Sequence, residues 1–389
     1  MHLSELEPRL RELEESNLLR SPDDGLVRGQ LQERWGADFI DACSNDYLGL
    51  TQPAAPPSVQ ALDVSRETRE LPSGAGASRL VFGTHPEHLA AEHELASWMQ
   101  GESALLFSSG YAANVGALGA LLSKDDAVFS DALNHASLID GMRLSGARVR
   151  VVPHLDLGAL EEQLKSVADA PARWVVVESY YSMDGDGPDL PRLQALCAKY
   201  QAHLYVDEAH SIGTFGPEGR GLCAAQGVRP DVLMLAFGKA FGAQGACVVG
   251  SERLRTWLWN RARSFVFSTA LSPVLAGVLR EQLRRVKQAE AERRRLRDLC
   301  FLFRQQLLSH GVELPDGGFG PIVSVVLGSA GQALAAAERL RAQGILAQAI
   351  RPPTVPEGKS RLRVVLHANL EERAVVRLSE AVLEVLRKK

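Results

Sequence analysis

Apolar positions along the chain follow two different periods. From Ser103 to about residue 250, short apolar runs recur at Ala104–Phe107, Ala127–Ser130, Arg148–Val152, Trp174–Val177, His203–Val206, Val232–Leu235 and Ala246–Val249. Most are separated by segments of helical period such as Leu190–Tyr200. Strands alternating with helices predict a mostly parallel sheet covered on both faces, with right-handed crossovers. Beyond about residue 275 the period is helical, with Leu279, Leu283, Leu296, Leu299 and Leu302 set among Arg and Glu, which predicts one long helix over 275–309. Shorter strands at Ile322–Leu327, Ile345–Ile350 and Leu362–Leu366, with helices between and after them, predict a smaller α+β domain. At the other end, Leu3, Leu6, Leu10, Leu13 and the Leu18/Leu19 pair predict an amphipathic helix, either packed or reaching over a site or a partner subunit. The expected organisation is an N-terminal arm (1–45), a large domain (46–275) and a small C-terminal domain (276–389), with neither an internal repeat nor a low-complexity linker.

Composition narrows the class. A length of 389 residues sets a soft prior of two or three domains. The 43 Lys and Arg against 47 Asp and Glu leave a formal charge of −4, which argues against a polybasic, nucleic-acid-binding surface. Five cysteines at 43, 197, 223, 247 and 300 are odd in number and lack CxxC spacing, so neither a disulfide framework nor a zinc ribbon is expected. The first 20 residues mix Glu and Arg without an apolar run, unlike a signal peptide, and no stretch has transmembrane length and apolarity. A cytoplasmic location is therefore expected.

Two nucleotide motifs fail on inspection. Gly74-Ala75-Gly76 lacks the third glycine of GxGxxG, and Gly238-Lys239 is followed by Ala240 rather than Ser or Thr. More informative is Phe237-Gly238-Lys239-Ala240-Phe241-Gly242, a lysine among glycines and apolar residues just after a predicted strand. A partly desolvated lysine of this kind forms Schiff bases, although a lone loop lysine is more often simply solvated. Asp207 ends another predicted strand, and His210 follows three residues later. Strand C-termini are where open α/β sheets bind ligands. A carboxylate beside a Schiff-base lysine is what pyridoxal phosphate requires, since the carboxylate keeps the pyridine nitrogen protonated. Ser108-Ser109-Gly110-Tyr111 follows a strand and opens a helix, a ready phosphate cradle, though it also reads as an ordinary cap. Asn134-His135-Ala136-Ser137 offers an imidazole at a strand-to-helix junction, and Tyr181-Ser182-Met183-Asp184 lies beyond another strand end. Each match is weak alone; five at consecutive strand ends are hard to obtain by chance.

Taken together these segments resemble the pyridoxal-phosphate α-oxoamine synthases, of the aspartate-aminotransferase-like fold (PLP fold type I). The resemblance is carried by SNDYLGL (44–50), GASRLVFGTHPEHLAAE (76–92), SSGYAAN (108–114), NHASL (134–138), YSMDGD (181–186), VDEAHSIGTFGPEGRG (206–221) and FGKAFG (237–242). It implies pyridoxal 5'-phosphate as cofactor, no metal, and a homodimer. It implies Lys239 as the Schiff-base lysine and acid/base, Asp207 as the partner of the ring nitrogen, His210 as a hydrogen-bond partner of the ring oxygen and His135 stacked on the ring. Gly110, Tyr111 and Ser182 are implied as further cofactor contacts, as are Ser268 and Thr269. Arg351 is implied to hold the amino-acid carboxylate, with Thr354 at the acyl substrate, Asn45 at the substrate site and Arg20 at a distal acyl carboxylate. The segment from Ala349 to Arg363 points to the branch that condenses L-alanine with a pimeloyl thioester, on CoA or a carrier protein, in biotin synthesis. Alternatives are a sister enzyme such as glycine C-acetyltransferase, an ordinary aminotransferase, or a non-catalytic cofactor-binding regulator.

One position departs from the family. Ala236 stands where relatives carry a Ser or Thr that donates to the phosphate. A lost bond to a charged acceptor is worth about 1.5–3 kcal/mol, so weaker cofactor retention is expected. Elsewhere the bland readings prevail: His85, His88 and His93 as hydrogen-bonded histidines, Arg293–Arg295 with Arg297 as a solvated helix face, and Trp257 and Trp259 as packing or interface residues.

Overall fold

The computed structural model describes residues 5–20, 33–51, 71–167 and 169–387. They divide into two compact units. The larger comprises Leu48–Tyr181 and Gly187–Arg293, and the smaller Met1–Tyr47, Ser182–Asp186 and Arg294–Lys389.

The larger unit is built on a seven-stranded sheet of β2 (Ser103–Phe107), β3 (Ala127–Asp131), β4 (Arg148–Val152), β5 (Arg173–Glu178), β6 (His203–Asp207), β7 (Val232–Ala236) and β8 (Ala246–Gly250), in the order β2-β8-β7-β6-β5-β3-β4. Only β8 runs against its neighbours, so β2 and β7 point the same way as the parallel block β4-β3-β5-β6. Apart from the exposed edge strand β4, which reads RVRVV, the strands are near-continuous apolar runs because helices cover both faces of such a sheet. Leu105, Phe107, Val128, Val176, Tyr205 and Met234 pack on one face with Ala113, Ala117 and Leu118 of helix Gly110–Leu121 and Leu138 and Met142 of helix Ala136–Ser145. That core holds the C-terminal strand ends, and the loops they launch, at one edge.

The segment Gly76–Glu92 is anchored by a buried ion pair. Arg79 donates from both terminal nitrogens to Glu92, at 2.9 and 3.2 Å, and Glu92 also accepts from the Leu106 amide of β2. Glu92 also pairs with Arg255 at 3.3 Å, so it is removal of Glu92 that would strand the buried Arg79 charge, at a cost of about 3–5 kcal/mol. His85 and His88 form the cap of helix Pro86–Met99: the His85 side chain accepts from Glu87 N–H, and the His85 amide donates to His88 Nδ1. Trp257 donates to the Ala120 carbonyl, and Trp259 packs on Phe265.

The expected long helix is two. Helix Pro273–Gln288 stops at Ala289, whose ψ of 39° leaves the helical range, and Glu290–Ser309 follows. The first stays in the larger unit because it packs along helix Pro86–Met99, where Arg280 bridges Glu87 and Glu94 at 2.7 Å each. The division therefore falls at 293/294 rather than at 275/276. Arg293 corrects the solvated-face reading of its run: its side chain is 1% exposed and donates to the Gly213 and Val286 carbonyls.

In the smaller unit β9 (Ile322–Gly328), β11 (Gln348–Ile350) and β12 (Ser360–Val365) form an antiparallel sheet in the order β11-β12-β9. The strand expected over Ile345–Ile350 is split. Ile345–Leu346 (β10) instead pairs in parallel with Ile40–Asp41 (β1), so residues of the expected arm belong to this unit. The arm helix spans Leu6–Glu15, and none of its residues is buried. Leu3 lies outside the described residues. No helix among them is long and apolar enough to cross a membrane.

Candidate active site

In the larger unit, the strand ends deliver Asp207, His210, Lys239 and His135 of the expected residues to one edge of the sheet. Asp207 closes β6 and Glu178 closes β5, and the two are register partners in the parallel ladder. Parallel partners project to the same face, so two carboxyl groups lie side by side. Asp207 is buried; its Oδ1 accepts from the Ala209 amide and its Oδ2 from Asn114 Nδ2, both at 2.8 Å. His210 is buried just beyond. Lys239 leaves β7 in a loop closed by the Gly242 amide on the Lys239 carbonyl. At Gly242 (φ +62°) a Cβ would come within 2.8 Å of the Thr51 nitrogen, and Gln282 Nε2 holds the Gly242 carbonyl at 3.3 Å. Glycine is thus required where the lysine loop turns against the chain at 50–51.

His135 caps helix Ala136–Ser145 with its own ring. Its amide donates to Glu178 Oε1 at 2.7 Å, and Ser137 Oγ lies 2.8 Å from its Nδ1. Burial lowers the His135 pKa; the Asp207 charge raises it and the Lys239 charge lowers it. Burial, and then the charge of Asp207, push the Glu178 carboxyl well above the usual carboxylate range, with Lys239 pulling the other way. Lys239, Asp207, His135 and Glu178 therefore sit within one electrostatic neighbourhood.

Helix Gly110–Leu121 opens at the same edge. Ser109 Oγ accepts from the Ala112 amide and the Ser109 carbonyl from Ala113, which turns the Gly110 and Tyr111 amides to the helix mouth. A Cβ on Gly110 would lie 3.1 Å from the Ala236 methyl, so the cradle is tight against the end of β7. Ser268 and Thr269 line a small pocket with Ser108 and Arg79. A helix mouth with free amides, a lysine, a carboxylate and an imidazole at one edge match the phosphate, aldehyde, ring nitrogen and ring face of pyridoxal phosphate. The residues present fit that group.

The smaller unit gathers the residues expected at the substrates. The Asn17 carbonyl accepts from Arg351, and Arg20 Nη2 reaches Thr354 Oγ1 at 3.4 Å, so the end of the arm meets the 351–354 turn. Asn45 and Ser182 come together elsewhere, around Arg363, which ends the segment that points to the branch but was given no role of its own. That buried guanidinium donates to Asn45 Oδ1 at 3.0 Å and to the Ser182 carbonyl at 2.6 Å, and the neighbouring Arg361 pairs with Asp184. Sequence reasoning also passed over Asn114, Ser137, Glu178 and Tyr205. The first two stand inside matched motifs, but their partners lie far away along the chain.

The family model for class I and II aminotransferases matches residues 37–382. A curated 8-amino-7-oxononanoate synthase from Anaeromyxobacter dehalogenans (strain 2CP-1) is 46% identical, over 92% of this chain and 89% of its own. One from Cellvibrio japonicus is 43% identical, over 90% and 87%. Among solved structures, a serine palmitoyltransferase from Sphingomonas wittichii superposes with a TM-score of 0.83 at 30% identity, covering 90% of this chain and 88% of that one. An 8-amino-7-oxononanoate synthase from Francisella tularensis gives 0.76 at 28% identity, covering 90% and 98%.

Proposed function

This chain belongs to the class I and II aminotransferase family, and within it we propose that the protein condenses L-alanine with a pimeloyl thioester, giving 8-amino-7-oxononanoate, free thiol and carbon dioxide, a step of biotin synthesis. The convergence of Lys239, Asp207 and His135 at one sheet edge carries this reading, in a chain that aligns nearly end to end with 8-amino-7-oxononanoate synthases.

Bound at that edge, pyridoxal phosphate supplies the electron sink for a carbanion at the alanine α-carbon. The chain's own groups do the rest. The Gly110 and Tyr111 amides receive the phosphate, while Ser268, Thr269 and Ser182 are the further contacts proposed for the cofactor. Asp207, fixed by Asn114 and Ala209, would hold the ring nitrogen, with His210 as the partner for the ring oxygen and His135 for a ring face. The Lys239 amine takes the α-proton. The α-carbon then bonds to the thioester carbonyl carbon as the C–S bond breaks, and the thiolate leaves and takes a proton from solvent to become free thiol. The bond from the α-carbon to the alanine carboxylate breaks next, releasing carbon dioxide, and Lys239 returns a proton to the α-carbon.

The alanine carboxylate needs a guanidinium fork. Arg351 was the expected holder; it lies at the turn where Arg20 reaches Thr354, the residues expected at the acyl substrate, whereas Arg363 groups with Asn45 and Ser182, expected at the substrate and the cofactor. We assign the carboxylate to Arg363, and the acyl chain with its distal carboxylate to Arg351, Thr354 and Arg20. A homodimer in the cytoplasm completes the proposal; the five cysteines are all free and four are buried, as suits a reducing compartment.

Mixing the enzyme with L-alanine and pimeloyl-CoA, while following free thiol and the cofactor's visible spectrum, tests the function. Thiol release with alanine and pimeloyl-CoA is expected. Release only with glycine and acetyl-CoA would transfer the protein to the sister reaction, and amine transfer to a keto acid without thiol would refute a condensing enzyme.

A further inference from the structure

We propose that Ser137 and Asn114 are positioning residues that lock His135 in its Nε2–H tautomer and tie that ring to Asp207. The inference rests on the reading above only in placing His135 over the cofactor.

Counting donors carries it. The Ser137 backbone N–H can only donate, and it points at His135 Nδ1 from 3.2 Å, so Nδ1 presents a lone pair and the ring proton is on Nε2. Ser137 Oγ stands 2.8 Å from the same nitrogen. Asn114 Nδ2 donates to that oxygen at 2.8 Å, so the hydroxyl proton is turned towards Nδ1. The second N–H of Asn114 goes to Asp207 Oδ2 at 2.8 Å, while its Oδ1 accepts from the Tyr205 hydroxyl at 2.8 Å. The opposite orientation of the amide would face its oxygen to the Asp207 carboxylate, so the amide has one acceptable setting. Asn114, Ser137 and Tyr205 are each at most 1% exposed. Water therefore does not replace a lost bond, and one change leaves a buried group unmatched.

Every neighbouring element adds to the same arrangement. Glu178 of β5 holds the His135 amide, Asp207 of β6 and Lys239 beyond β7 face the imidazole with opposite charges, and Asp140 lies on the helix that His135 caps. Both donors to Nδ1 favour the neutral ring, as burial does. His135 is then a donor through Nε2–H with no basic nitrogen to offer, so it does not abstract the α-proton, and that task falls to Lys239.

Selectively ¹⁵N-histidine-labelled holoenzyme, with His135 assigned by comparison with His135→Gln, reads the tautomer by NMR whether or not the enzyme turns over. The expected result is Nε2 protonated and Nδ1 bare. In Ser137→Ala the loss of one donor to Nδ1 should raise the His135 titration midpoint by about half to one pH unit, and the acid limb of kcat/KM should move with it. Ser137→Thr, which keeps the hydroxyl, should restore both. A proton on Nδ1 in the unaltered holoenzyme, or a Ser137→Ala variant whose midpoint is unchanged, would overturn the proposal.

Discussion

Glu208 follows Asp207 directly and is completely buried. Its Oε1 accepts from the Cys223 amide at 2.7 Å, and its Oε2 lies so close to Gly221 that a Cβ there would come within 2.0 Å. The carboxyl thereby fixes the loop that runs on from His210. Burial pushes its pKa up from 4.5 to about 7, with the Cys223, Ser211 and Ser179 contacts pulling back. A folded pKa above the unfolded one gives a contribution that is complete below the unfolded value and is lost as pH rises through the folded value. The window here is from about pH 4.5 to about 7. Across it, a shift of this size corresponds to about 3 kcal/mol of lost stability. Glu208→Gln keeps the shape and the acceptor for Cys223 but cannot ionise. Denaturant unfolding of both proteins, at fixed cofactor concentration from pH 5 to 8, should show the variant gaining about 2.5 kcal/mol on the parent over that range. A difference that stays constant within about 1 kcal/mol, or that runs the other way, would refute a neutral Glu208.

Further predictions concern the cofactor and the substrate. Lys239→Ala should abolish turnover and the visible absorbance of the lysine-bound cofactor; an intact band would mean that another lysine carries it. Ala236→Thr adds a hydroxyl to a side chain whose Cβ lies 3.1 Å from where a Gly110 Cβ would be, beside the helix mouth, and should tighten cofactor binding by about ten- to a hundredfold in equilibrium dialysis; unchanged affinity would remove the missing bond as a cause of weak retention. Arg363→Lys loses the fork and should raise KM for alanine about tenfold or more, whereas Arg351→Lys should act chiefly on the acyl substrate; the reverse pattern would return the carboxylate to Arg351.

Much of the fold was legible before any coordinates. Each strand of the large sheet was expected within one or two residues of its observed bounds; for all but the exposed edge strand β4 the reason is that a strand buried on both faces must be an apolar run and its ends must be polar or glycine-rich. The residues with special chemistry stood at those ends for the same reason: Lys239 after β7, Asp207 closing β6, His135 after β3. Periodicity was less informative where it continued through a change in structure. Helical spacing persists across Ala289, so the break there was invisible, and the alternation over Ile345–Ile350 did not reveal that its halves pair in different sheets.

What the sequence by itself determined is the alternating α/β frame and the placing of its candidate chemical groups at the strand ends. Tertiary structure alone decided how those groups are held. Asn114 meets Ser137 across 23 residues and Asp207 across 93, Arg363 meets Asn45 across 318, and Arg293 is buried although it stands in a run of arginines. Local pattern records which face a residue turns inward. Which distant partner waits on that face depends on strand order and register, and those are settled only when the whole sheet is packed.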